Sequence, residues 1–199
     1  MFQKLSLIAL CVLFVDAAPA RAEQTIVFLR HGEKPVGGYG QLTCQGFNRA
    51  MALPSVLLTK FGTPDYLYAP NPADKIPDAA GSFYYDRPLA TLEPLAVKLT
   101  KDIWSKYAYT NISSLQSSLI KASRDNTTTF VAWEHIYLQK AVQNIMNQYG
   151  GGVTVPAWAS TDYDSLYIVR LTYRSDGTIV ATFEQDREGL DGQPTSCPF

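Results

Sequence analysis

The sequence predicts an α/β sandwich, a mostly parallel β-sheet between layers of helix, with a β-hairpin at one edge of the sheet. Three observations predict it. Two apolar, β-branched runs, residues 26–29 and 128–133, each end in a charged pair, Arg30-His31 and Glu134-His135; buried central strands have this form. Segments with apolar residues at helical spacing lie between and after them. Near the C-terminus, residues 165–173 and 178–183 read as strands with the turn residues Ser175-Asp176-Gly177 between them. Strands alternating with helices bury both faces of a sheet.

In chain order, the first 22 residues read as a signal peptide. Lys4 is a short basic start, residues 5–15 are an apolar run too short to span a membrane, and Ala20-Arg21-Ala22 offers a small-residue cleavage site before Glu23. Cys11 lies within the apolar run and follows Leu10, not a small residue, so no lipid anchor is expected. The expected organisation is therefore a signal peptide, 1–22, and one domain, 23–199, exported to the periplasm or secreted, with no stable membrane anchor. Export implies oxidising surroundings. Cys44 and Cys197 then either pair or stand as separate thiols, and their spacing leaves both open. A net charge of -1 lacks the basic footprint of a nucleic-acid binder. A hydrophobic content of 46% and an aromatic content of 12% indicate a packed globular chain rather than a disordered one.

After the first strand, residues 36–40 are a Gly-containing loop. Thr43 is a plausible N-cap for a helix running to Phe61-Gly62, with Pro54 a point of kinking or restart. Residues 65–69 form a short strand stopped by Pro70, and 71–82 read as a long surface loop at its end. Arg87-Pro88 opens a helix, since a proline in the first turn forfeits no needed N–H. Leu89, Leu92, Leu95, Ala96 and Leu99 form its core stripe. A further helix is expected over 112–122 and another over 136–149, the latter ended by Gly150-Gly151-Gly152. The tail from Asp186 is polar and reads as irregular.

The chain has two histidines, and each directly follows a predicted strand behind a charged neighbour. If both strands are central and parallel, His31 and His135 enter one crevice at the carboxyl ends of the strands. Arg30 enters with them, and Arg87 stands at a helix start, where backbone N–H groups also favour an anion. Two arginines and two histidines around one pocket suit a tetrahedral dianion such as a phosphate. No His, Cys or carboxylate cluster has metal-ligand spacing, so neither a metal nor another cofactor is expected.

These segments resemble the histidine phosphatase superfamily, also called phosphoglycerate-mutase-like. The resemblance lies in Leu29-Arg30-His31-Gly32-Glu33, in Leu42-Thr43-x-x-Gly46-x-x-Arg49-Ala50, in residues 87–96, and in Val131-Ala132-Trp133-Glu134-His135. It covers about residues 26–150 and implies a three-layer α/β/α sandwich. It also implies that His31 is a nucleophile forming a phosphohistidine, and that Arg30, Arg87 and His135 hold the phosphoryl oxygens. The His-Asp pair of the phytase branch is absent, because Ile136 follows His135, and the Glu-Arg segment of the mutases is not evident. Glu134 is the leading proton donor and Glu33 the runner-up; Asp162 and Asp164 lie in a loop that nothing in the sequence ties to the pocket. The expected function is an exported, metal-independent phosphatase acting on a small-molecule phosphomonoester. The alternatives are a non-enzymatic phospho-ligand-binding protein or, with less support, a phosphoryl mutase.

Overall fold

The structure, a computed structural model, describes residues 22–199, so the expected signal peptide lies outside the described residues apart from Ala22. Its centre is a six-stranded sheet. The strands are β1 (Ala22–Arg30), β2 (Tyr66–Tyr68), β5 (Ile103–Trp104), β6 (Thr128–Trp133), β7 (Ser165–Tyr173) and β8 (Ile179–Arg187), in the order β5-β2-β6-β1-β7-β8. β5, β2, β6 and β1 run parallel, while β7 pairs antiparallel with both β1 and β8. Between β2 and β5 a separate two-stranded hairpin stands off the sheet, made of β3 (Lys75–Asp78) and β4 (Gly81–Tyr84).

Alternation along the strands builds two cores. Ile26, Phe28, Val131 and Trp133 face α3 (Ile112–Leu119) and α4 (His135–Tyr149). Val27, Leu29, Phe130 and Ala132 face α1 (Cys44–Phe61) and α2 (Arg87–Leu99). Successive side chains of a strand point to opposite faces, so two fully apolar central strands require helices on both sides. The result is the expected three-layer α/β/α sandwich.

The helix starts follow local chemistry. The Thr43 hydroxyl accepts the amide of Gly46 at 3.0 Å and begins α1. Pro88 occupies the first turn of α2. Pro54 does not interrupt α1, which runs 18 residues through it. Leu53 and Leu57, both buried, hold the turns on either side against the sheet, and this burial outweighs the one hydrogen bond that proline forfeits.

Two other expectations are corrected, and one strand, β5, was not foreseen. The segment expected to be loop over 71–82 contains β3 and the start of β4, and only Ile76 of β3 is buried. With one inward side chain, and with Pro77 and Gly81 reading as breakers, this hairpin has no apolar alternation to detect. β5 is two residues long, too short for any periodicity. β8 continues to Arg187, past the point where an irregular tail was expected, because an edge strand facing solvent needs little apolar patterning.

Cys44 and Cys197 form a disulfide with Cα atoms 4.6 Å apart, tying the start of α1 to the C-terminal tail. The loop it closes spans 153 residues. Reduction should therefore lower stability by about 2–5 kcal/mol. Thermal melts with and without reductant check this, and the Cys44→Ser, Cys197→Ser double variant should match the reduced protein.

Candidate active site

Register brings the two charged pairs together. Arg30 on β1 lies opposite Trp133 on β6, and the His31 amide donates to the Trp133 carbonyl at 3.3 Å. His31 and Glu134 therefore leave adjacent parallel strands side by side, with His135 next. This is the carboxyl end of the sheet, beside the point where β1 has a parallel neighbour on one side and an antiparallel one on the other. Arg30, His31, Arg87, Glu134 and His135, the five residues expected at the site, all line one cavity of about 260 Å³.

Two glycines permit this exit. A Cβ on Gly32 would lie 2.7 Å from the Gly46 carbonyl oxygen, and one on Gly46 would lie 2.5 Å from the Glu33 carbonyl oxygen. The strand exit and the start of α1 touch backbone to backbone. The Gly32 amide donates to the Thr91 hydroxyl at 2.9 Å, and that hydroxyl donates to the Arg87 carbonyl at 2.8 Å. Thr91 thus links the strand carrying His31 to the helix carrying Arg87.

The His31 ring is 2% exposed, and its Nδ1 lies 2.7 Å from the Gly32 carbonyl oxygen. A carbonyl only accepts, so Nδ1 carries the proton and Nε2 keeps its lone pair. Burial, followed by the charges of Arg87 and Arg30, holds the imidazole pKa well below its usual value. A neutral, oriented imidazole is a nucleophile at ordinary pH.

The arginines are braced from behind. One terminal nitrogen of Arg30 donates to the carbonyls of Ser160 and Asp162 at 2.8 and 2.9 Å, and its guanidinium lies 3.8 Å over the Tyr163 ring. The 160–163 loop, which the sequence left unattached, is therefore anchored to the site through its backbone. Arg87 donates to Asp78 at 2.7 Å and to the Gly38 carbonyl at 3.2 Å. The Nε atoms of both arginines, and the Tyr85 hydroxyl, are buried without a hydrogen-bond partner among the described residues, and unpaired buried donors are costly.

Glu134 caps α4. Its Oε2 accepts the amides of Ile136 and Tyr137 at 2.9 and 3.0 Å. Its Oε1 lies 2.6 Å from Nδ1 of His135. Burial alone would raise the Glu134 pKa, but His135 and the two amides outweigh it and hold the group below its usual value.

Glu33, the other expected donor, does not reach the cavity. Both its oxygens bond Arg49, the shortest contact being 2.8 Å. Arg49 is fully buried and also binds Asp164, Glu188 and Asp191. This network fastens the segment after His31 to the C-terminal tail. Asp164 belongs to it and not to the cavity, and the Asp162 carboxylate is spent on the amides of Asp164 and Ser165 and on the Ser165 hydroxyl.

Sequence reasoning missed Asp78. It sits in the unrecognised hairpin, and its side chain is 1% exposed. It binds Arg87, Lys34 at 3.2 Å and the Gly40 amide at 3.3 Å. Lys34, whose side chain is exposed, also lines the cavity. Among the described residues no three His, Cys, Asp or Glu side chains converge as a metal site.

No family model and no curated protein matches the chain. Solved structures do. A mycobacterial hydrolase superposes with a TM-score of 0.56 at 11% identity, covering 82% of this chain and 90% of its own. A chain assigned as phosphohistidine phosphatase SixA from Nakamurella multipartitia gives a TM-score of 0.52 at 12% identity, covering 82% and 95%. A mycobacterial glucosyl-3-phosphoglycerate phosphatase in complex with inorganic phosphate gives 0.52 at 13% identity, covering 80% and 95%. At these identities the likeness establishes the fold alone, a three-layer α/β/α sandwich.

Proposed function

We propose that this chain is an exported phosphatase that hydrolyses a small-molecule phosphomonoester through a phosphohistidine on His31, without a metal. The observation that carries the reading is the His31 ring itself. Its Nδ1 is tied to the Gly32 carbonyl and its Nε2 is bare, in a cavity that also holds Arg30 and Arg87, each with a buried, unpartnered Nε. Arginine forks neutralise a phosphoryl dianion as the nucleophile approaches and grip its equatorial oxygens in the transition state. His135, held by Glu134, adds a further donor. Water then attacks the phosphohistidine and releases phosphate. The leaving oxygen needs a proton, and the cavity wall carries two carboxyls, Glu134 and Asp78. The phosphatases among the structural neighbours support the class of reaction. The signal-like first 22 residues and the Cys44–Cys197 bridge support export to an oxidising compartment.

The test is phosphate release from an aryl phosphate by the purified protein. Hydrolysis should persist in a chelator and be inhibited by orthovanadate, which mimics the pentacoordinate phosphorus. Loss of activity in chelator, restored by a divalent cation, contradicts the metal-independent mechanism. Phosphate binding without turnover over a panel of phosphomonoesters favours a binding protein. Transfer of the phosphoryl group to a sugar phosphate in preference to water favours a mutase.

A further inference from the structure

We propose that Asp78, on the hairpin beside the cavity, is the general acid that protonates the leaving oxygen; this rests on the phosphatase reading above. Among the described residues the carboxyls lining the cavity are Asp78 and Glu134, and their partners differ in kind. Both oxygens of Glu134 are committed to the ionised form. One accepts two amides of the first turn of α4, and the other faces His135. Those amides belong to the helix and stay where they are when substrate enters, so Glu134 remains a carboxylate.

Asp78 is held instead by the cations that the substrate would claim. Arg87 reaches both of its oxygens, at 2.7 and 3.4 Å, Lys34 donates to it at 3.2 Å, and its one amide contact, from Gly40, is 3.3 Å long. Burial alone would raise its pKa, but Arg87, Gly40 and Lys34 outweigh burial and lower it. A phosphoryl dianion drawn to Arg87 shares that guanidinium and places negative charge beside Asp78. Both effects favour uptake of a proton by the carboxylate. Substrate binding therefore creates the acid next to the phosphoryl group. Gly38 lets the loop lie this close, since a Cβ there would sit 2.1 Å from Cγ of Asp78.

The chemistry balances. Nε2 of His31 forms the N–P bond as the ester P–O bond breaks. The bonding pair stays on the leaving oxygen, which takes the Asp78 proton and departs as an alcohol. Water then forms the new P–O bond and gives a proton to the Asp78 carboxylate. The N–P pair returns to Nε2, leaving free phosphate and a protonated Asp78.

Leaving-group dependence reads this directly. A nitrophenolate departs without help, whereas an alkoxide does not. Asp78→Asn should lower kcat on an alkyl phosphate such as glycerol phosphate by about 10²-fold or more, and on nitrophenyl phosphate by less than about tenfold. Retained aryl activity shows in the same experiment that the variant is folded. Asp78→Glu, which keeps a carboxyl, should hold the alkyl-to-aryl ratio closer to wild type than Asp78→Asn does, and Glu134→Gln should leave that ratio unchanged. Equal loss on both substrates overturns the proposal and makes Asp78 a positioning residue for Arg87. Wild-type rates in Asp78→Asn, or selective alkyl loss in Glu134→Gln, also overturn it while the phosphatase reading stands. If the wild-type protein hydrolyses neither ester, that reading fails and the proposal fails with it.

Discussion

Replacing His31 by alanine is expected to lower kcat on an aryl phosphate by about 10³-fold or more, while orthovanadate still binds. The two halves of the result have separate causes. The covalent route needs the Nε2 lone pair of His31, which the bond between Nδ1 and the Gly32 carbonyl orients. Binding depends on Arg30 and Arg87, whose braces do not involve the His31 ring. Arg30 is fixed by the 160–162 backbone and the Tyr163 ring, and Arg87 by Asp78 and Gly38. The ring makes one hydrogen bond, to its neighbour's carbonyl, so its removal should shift the melting temperature little. Steady-state kinetics together with the vanadate-induced rise in melting temperature check both halves. Substantial turnover in His31→Ala would place the nucleophile elsewhere.

Arg49→Met is expected to have the largest effect on stability, about 3–5 kcal/mol, a fall of roughly 10 °C or more in melting temperature for a chain of this size. Arg49 is fully buried and contacts four carboxylates, Glu33, Asp164, Glu188 and Asp191. Asp164 and Glu188 are themselves nearly or fully buried. Methionine fills much of the volume but leaves Glu33 and Glu188 without their cation, while Asp164 and Asp191 keep only Arg187. Burial pushes the Glu188 pKa up, against the pull of Arg49. Because the network ties the residues after His31 to the tail, activity should fall along with stability. Denaturant melts of wild type and Arg49→Met, followed by activity at a temperature where both are folded, separate the two effects. A loss below about 1 kcal/mol would show that Arg49 is not the fastener described here.

Most of the site was legible in the sequence because its parts are local. A β-branched run that stops at Arg-His or at Glu-His carries its own evidence of strand and of strand end. Pro88 just after Arg87, and Thr43 three residues before Gly46, mark helix starts by chemistry confined to one turn. The assembly of Arg30, His31, Arg87, Glu134 and His135 around one cavity then follows from two strands lying parallel and adjacent. What escaped was either too short or too distant. β5 has two residues, and the β3–β4 hairpin has one buried side chain, so neither shows a period, and Asp78 was hidden with the hairpin. The partners of Arg49 lie up to 142 residues away, and a pairing over that distance leaves no local pattern. Glu33 follows the motif so closely that proximity in sequence suggested a place in the cavity. In the structure Arg49 turns it the other way.

The account rests on a covalent bond between His31 and phosphorus, and the most direct measurement is to trap it. The protein is mixed with an aryl phosphate, quenched in alkaline denaturant during turnover and mapped by peptide mass spectrometry. The account predicts one phosphoryl group on the peptide carrying His31, stable to base, labile to acid and absent in His31→Ala. Rapid turnover with no phosphoryl group on any residue, or with the group on a residue other than His31, would contradict it.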